Sequence, residues 1–200
     1  MHPWHVAEQT KGWEARLRSA LVSQPSAAVG ETGLDRVRLD TPWEAQLSAF
    51  ALHVRLASEL RRALVVHAVR ADGALLDLLR AEATAGTLPP VLVMHAFGGS
   101  AETAANLLRL GAEAETKVFF GFSERAVRLR RAPAVIQSVP ESRLLLESDE
   151  HIPDQALRAV ASACERLAAV RAWSLAQAAE QTAENAREAF EPSGWGSGAE

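Results

Sequence analysis

Cysteine, net positive charge and long apolar runs are what this 200-residue sequence has least of. Its one cysteine, Cys164, excludes an intramolecular disulfide and a zinc finger. That residue falls in the helical series Leu157, Val160, Cys164 and Leu167, so it reads as packing rather than as a reactive thiol. A formal net charge of −4 leaves no broad basic field on the surface. This argues against a non-specific polyelectrolyte binder, but not against an enzyme that grips phosphates through metal ions. No run is long enough to cross a bilayer, and "MHPWHVAEQTKGW" lacks the layout of a secretory signal. The expectation is a soluble protein without a membrane partner, in a reducing compartment: the cytoplasm, with the nucleus as the alternative.

What is present is 48% hydrophobic residues, enough for one domain with a real core. Five short apolar runs recur: "AAVGE" (27–31), "ALVVHAV" (63–69), "PVLVMHAF" (90–97), "KVFFGFS" (117–123) and "RLLLESD" (143–149). Their continuous rather than alternating hydrophobicity suits strands covered on both faces. Helical patterns lie between them. Thr41, Pro42, Trp43 and Glu44 form a capping-box pattern ahead of a stripe of Trp43, Leu47, Phe50, Val54 and Ala57. Ser100, Asp154 and Ser174 are the expected caps of three later helices. Strand and helix alternating at about 25–35 residues is the pattern of parallel βα units, either a small open sheet or part of a barrel. One α/β domain is expected over 1–190, followed by a disordered Gly/Ser-rich tail over 191–200.

In βα architectures the chemistry sits at the C-terminal ends of the strands. The first run ends at Glu31, the second reaches His67, the third His95 and the fifth Asp149. A lone histidine in an apolar strand is more often a core residue. Four metal-ligand types at equivalent places would each need a separate buried partner, so they read as one metal site. Carboxylate plus imidazole suits zinc, manganese or a similar divalent ion. Glu147 lies two residues before Asp149 and points the same way, which makes it a candidate supporting residue behind the ligands, as is Asp35. Gly30 and Gly33 flank Glu31 and are expected to let backbone and substrate approach it. The basic run "RAVRLRR" (125–131) reads as a solvated helix face.

The strings "VGETGLD", "VVHAVRADGALLDLL", "VMHAFGGSAET", "FGFS" and "VPESRLLLESD" resemble, in order and spacing, the motifs of the TatD family of metal-dependent deoxyribonucleases. "TAENAREAF" is similar to that family's closing helix, and "HPWH" (2–5) to a turn that ends an earlier family strand. "VHAVRADG" followed by "HAFGGS" looks most like the eukaryotic branch. The resemblance implies a TIM-type (β/α) barrel and hydrolysis of DNA by a metal-activated water. It implies that Glu31 bridges two metals, that His67 and His95 bind the second, and that Asp149 binds the first. Glu31 and Asp149 would also carry the catalysis. Arg70, matching an arginine of the family motif, would hold a phosphate.

The family's H-x-H motif on the opening strand is absent, and its barrel has eight strands. By that comparison the chain starts just after the third strand, so a partial, open barrel lacking its N-terminal strands is expected. With the H-x-H ligands gone, one tight divalent ion per chain is expected in place of the family's two. Two alternatives stand beside the deoxyribonuclease: a related amide or ester hydrolase, and a catalytically impaired binding remnant.

Overall fold

The computed structural model describes residues 1–38 and 40–191. Beyond Glu191, the tail expected to be disordered lies outside the described residues. The described residues form five strands: β1 (Val29–Asp35), β2 (Ala63–Val69), β3 (Val91–Met94), β4 (Lys117–Phe122) and β5 (Leu144–Leu146). They make one sheet in the order β1-β2-β3-β4-β5, every neighbouring pair parallel, as in an arc of a (β/α) barrel. The intervening helices are α1 (Trp13–Ser23), α2 (Trp43–Glu59), α3 (Asp72–Thr84), α4 (Ala101–Glu113), α5 (Glu124–Val127), α6 (Ala132–Ser138), α7 (Pro153–Arg171) and α8 (Leu175–Phe190).

Three strand ends differ from expectation. The first strand runs on to Asp35, because its pairing with β2 continues through Asp35 opposite Val69. Glu31 is therefore inside a strand rather than at its end. The third stops at Met94, since Ala96 turns the chain with φ 42°. The fifth stops at Leu146, so Asp149, at φ 57°, sits in the loop beyond.

The strands bury two different faces. Leu64, Val66, Leu92, Met94, Val118 and Phe120 face the helical layer and join the main core with Phe50, Val54, Leu75 and Leu107. The alternate residues Ala63, Val91, Val93, Phe119 and Leu145 form a second, inner cluster with Ala189 of α8. The side-chain period of two carries this inner row onward to His67, His95 and Glu147. α8 is tied to this arrangement by buried Asn185, whose Nδ2 donates to the carbonyls of Glu141 (2.7 Å) and Leu144 (2.8 Å). The "TAENAREAF" segment thus has a structural duty at the foot of β5.

Two expected caps form and two do not. The Ser100 hydroxyl accepts from Thr103 N at 3.0 Å, and Ser174 and Gln177 complete a capping box. Thr41 instead donates its hydroxyl to the Trp4 carbonyl, leaving Pro42 at the N-cap of α2. α7 starts with Pro153 in its first turn, so Asp154 lies inside the helix, where its charge still complements the dipole. His53 is fully buried and stacks on Trp13. In the basic run, exposed Arg128 pairs with Glu124.

The glycines of β1 let the backbone of β2 approach closely, as expected. Gly33 has φ 149°, and a Cβ there would fall on the His67 carbonyl; one on Gly30 would meet Val65 at 2.8 Å. Gly33→Ala is therefore expected to push β1 from β2 and to lower stability by more than about 2 kcal/mol, read by urea denaturation. A loss under about 0.5 kcal/mol would show that the strands separate freely.

Candidate metal centre

The inner row converges on Glu31. Its Oε1 lies 2.8 Å from His67 Nδ1 and 3.5 Å from His2 Nε2, while its Oε2 lies 3.7 Å from His95 Nε2. His95 Nε2 is also 3.2 Å from Asp149 Oδ1. All four expected ligand residues are thus brought together, but grouped differently from expectation. His67 and His95 face opposite oxygens of Glu31 instead of sharing one side.

Each of these two imidazoles is backed by a second carboxylate. His67 Nε2 faces Asp35 Oδ2 at 3.3 Å, and His95 Nδ1 faces Glu147 Oε1 at 3.1 Å. These carboxylates are themselves held. Buried Asp35 accepts the Trp4 indole N–H at 2.7 Å and the Val37 N–H at 2.8 Å. Glu147 accepts from Ala96 N at 2.6 Å, in space that a Cβ on Gly121 would fill. A carboxylate on the far ring nitrogen sets the tautomer and orientation of a metal-binding histidine.

Charge follows the geometry. Burial favours neutral Glu31, but hydrogen bonds from His2 and His67 and the charge of His95 outweigh it and hold the carboxyl well below the usual range. Asp35 is likewise lowered: burial opposes ionisation, and Trp4, Val37 and His67 more than offset it. For His95 burial disfavours the cation, yet the Glu147 hydrogen bond and the charges of Glu147, Glu31 and Asp149 push its pKa up to about 9.

Two contributors escaped the sequence reading. The ligand atoms of His2, Glu31 and His67 all lie within 4.8 Å of one another, making this trio a further candidate ligand set. Trp4 supports Asp35. Both belong to "HPWH", whose histidine spacing of three hid the fact that only the first one turns inward. His5 pairs with Glu8 on the surface. The usable signal was a histidine fixed by a following proline and tryptophan. Arg70 lies exposed just past β2, at φ 50°. Three imidazoles around a carboxylate with two accessible oxygens are a chemically fitting donor set for a borderline divalent cation.

The profile of the family described as "TatD related DNase" matches residues 1–191. The chain belongs to the TatD family. It is 32% identical over 154 residues to a metal-dependent hydrolase TatD of Mycobacterium tuberculosis, covering 74% of this chain and 55% of that protein. It is also 32% identical to a protein of Erwinia billingiae named 3'-5' ssDNA/RNA exonuclease TatD, with the same coverage. The chain thus spans about half the length of these curated relatives. The TatD homologue YJJV of Escherichia coli K12 superposes with a TM-score of 0.77 at 24% identity, over 96% of this chain and 74% of that one. A TatD family hydrolase from Entamoeba histolytica gives 0.79 at 18% identity, over 96% and 73%. These two likenesses bear on the fold, and they agree with a TatD barrel architecture.

The raised pKa of His95 sets a pH dependence. Below about 9 its Nε2 carries a proton that a cation must displace. Metal affinity on the His95 side should therefore rise as pH increases, by about ten-fold per unit from neutrality, and level off near pH 9. Calorimetry in buffers of different ionisation enthalpy should register the released proton. A pH-independent affinity would show that His95 is not engaged. His2→Ala should weaken ion binding by at least about ten-fold, read in the same titration.

Proposed function

We propose that this protein is a divalent-metal-dependent hydrolase of nucleic-acid phosphodiesters, a deoxyribonuclease acting on single-stranded ends. The observation that carries this reading is Glu31, whose two oxygens face separate imidazole groups. A carboxylate shared in that way suits two cation positions, one beside His2 and His67, the other beside His95 and Asp149. His2, Glu31 and His67 would hold the tighter ion at neutral pH, and an ion beside His95 would have to compete with that ring's proton. Divalent cations there would supply Lewis acidity and bring the pKa of water towards roughly 7.

The chain's own residues do the rest. Asp35 and Glu147 keep the rings of His67 and His95 in place. The Asp149 carboxylate, 46% exposed, takes the proton that the attacking water loses. Arg70 holds a phosphate oxygen of the substrate. The name of the Erwinia billingiae relative supports a nucleic-acid substrate. A single cysteine suits work in a reducing compartment, the cytoplasm or nucleus.

The deciding experiment incubates the purified chain with manganese or magnesium and an end-labelled single-stranded oligodeoxynucleotide. Progressive shortening is expected, abolished by EDTA and slowed about a hundred-fold or more by Glu31→Gln. Cleavage that survives EDTA overturns the reading. Hydrolysis of small esters with the oligonucleotide left intact would assign the site to ester or amide chemistry instead.

A further inference from the structure

Beside the metal centre, and sharing Asp35 with it, lies a cavity of about 310 Å³ lined by Arg36, Arg38, Trp43 and Gln46 among others. Arg36 directly follows Asp35. Its backbone N–H donates to the Val69 carbonyl at 3.0 Å, which puts it next to Arg70 on the same lip of the sheet. The Arg36 guanidinium lies over the Trp43 ring, 4.1 Å from the centroid, and that of Arg38 lies over Trp4 at 4.7 Å.

The two arginines are not alike. Arg38 donates to both carboxylate oxygens of Asp40, at 3.2 and 2.9 Å. Arg18 and Arg55 are likewise clamped on Glu59 and Glu82. The Arg36 guanidinium, exposed, has no hydrogen-bond partner among the described residues and is oriented by the indole beneath it. A guanidinium held over an indole face keeps its N–H groups available to a ligand while its position is restrained. Its edge suits bidentate contact with a phosphate, and its outer face suits a stacked base. A carboxylate ligand would use the edge alone, whereas a nucleotide uses both. The cavity volume sits at the low end of ligand pockets, about 300 Å³, as a single nucleotide unit requires.

We infer that this cavity is a nucleotide subsite for the unit of a single-stranded nucleic acid next to the bond being cut. Arg36 grips its phosphate and the Arg36–Trp43 stack receives its base. The inference rests on the phosphodiester reading above and names a residue that reading did not use. It also supplies what an acidic centre in a chain of net charge −4 lacks, a cationic lip along which a polyanion can lie.

The test is fluorescence anisotropy of a labelled oligothymidylate with the full chain, in EDTA so that nothing is cut, at about 50 mM salt and above. Arg36→Ala is expected to weaken binding about ten-fold and to reduce the slope of log affinity against log salt by roughly 0.7. Arg36→Lys should restore the slope but not the affinity, since an ammonium offers neither fork nor face. Melting temperature and divalent-ion affinity should match wild type in both variants, showing that the fold and the metal centre are intact. Binding of Arg36→Ala within about two-fold of wild type, or no binding by wild type, overturns the subsite. The nuclease reading fails separately: an oligonucleotide bound through Arg36 but left uncut with metal present refutes cleavage and leaves the nucleotide site standing.

Discussion

A half-buried carboxylate placed between imidazoles from different elements is the constraint on which the rest of this structure turns. Taking Glu31 partly out of water costs several kcal/mol unless partners repay the lost hydration. The partners come from three directions: His67 on the adjacent strand, His95 beyond the strand after it, and His2 from the N-terminal segment. No short peptide could assemble that set. It exists because parallel strands in sequential order present the same parity of residue at the same end. The inner row that begins with Ala63, Val91 and Leu145 at the packed end therefore finishes in His67, His95 and Glu147 at the open end. Apolar packing at one end of the row sets the register in which the polar residues meet at the other.

The polar end is built in layers, each restraining the next. Backbone N–H groups of Val37 and Ala96 and the Trp4 indole hold Asp35 and Glu147. Those two carboxylates aim His67 and His95, and the imidazoles aim at Glu31. The cluster holds four carboxylates (Glu31, Asp35, Glu147 and Asp149) against three imidazoles, so its field favours added positive charge. The proton retained by His95 to about pH 9 is the lightest cation answering that field. A divalent ion placed there would compete with that proton.

The fold was largely legible, because five apolar runs at βα spacing leave little choice of architecture. That Glu31, His67, His95 and Asp149 would lie together was legible too, since each falls within or just beyond an apolar strand run. The strand ends were less so. Apolar runs report burial, whereas a strand ends where pairing or φ changes, and Ala96 and Asp149 show no sign of their positive φ in sequence. The Thr41 cap failed for a similar reason: a tertiary partner, the Trp4 carbonyl, outcompeted a local one. His2 was hidden because its place in the site depends on a contact with residues 29 and 65 positions away, to which neither hydrophobic period nor motif spacing is sensitive. Gly33 was legible as a place of close backbone approach, though which backbone group approaches, the His67 carbonyl, was not.

The same N-terminal turn joins what would otherwise be two separate devices. His2 reaches Glu31 and His67 on the side of the candidate metal centre. Two residues later Trp4 donates to Asp35 and lies under Arg38 on the cavity side, while its carbonyl accepts from Thr41 at the entry to α2. Asp35 is touched from both sides, orienting His67 with the oxygen that also accepts from Trp4. Any displacement of Trp4 therefore moves the carboxylate that aims the His67 ring and, with it, one wall of the cavity. In physical terms the two clusters are not independent, since both lean on Asp35 through Trp4. A substitution at Trp4 would therefore be felt at His67 and at the cavity together.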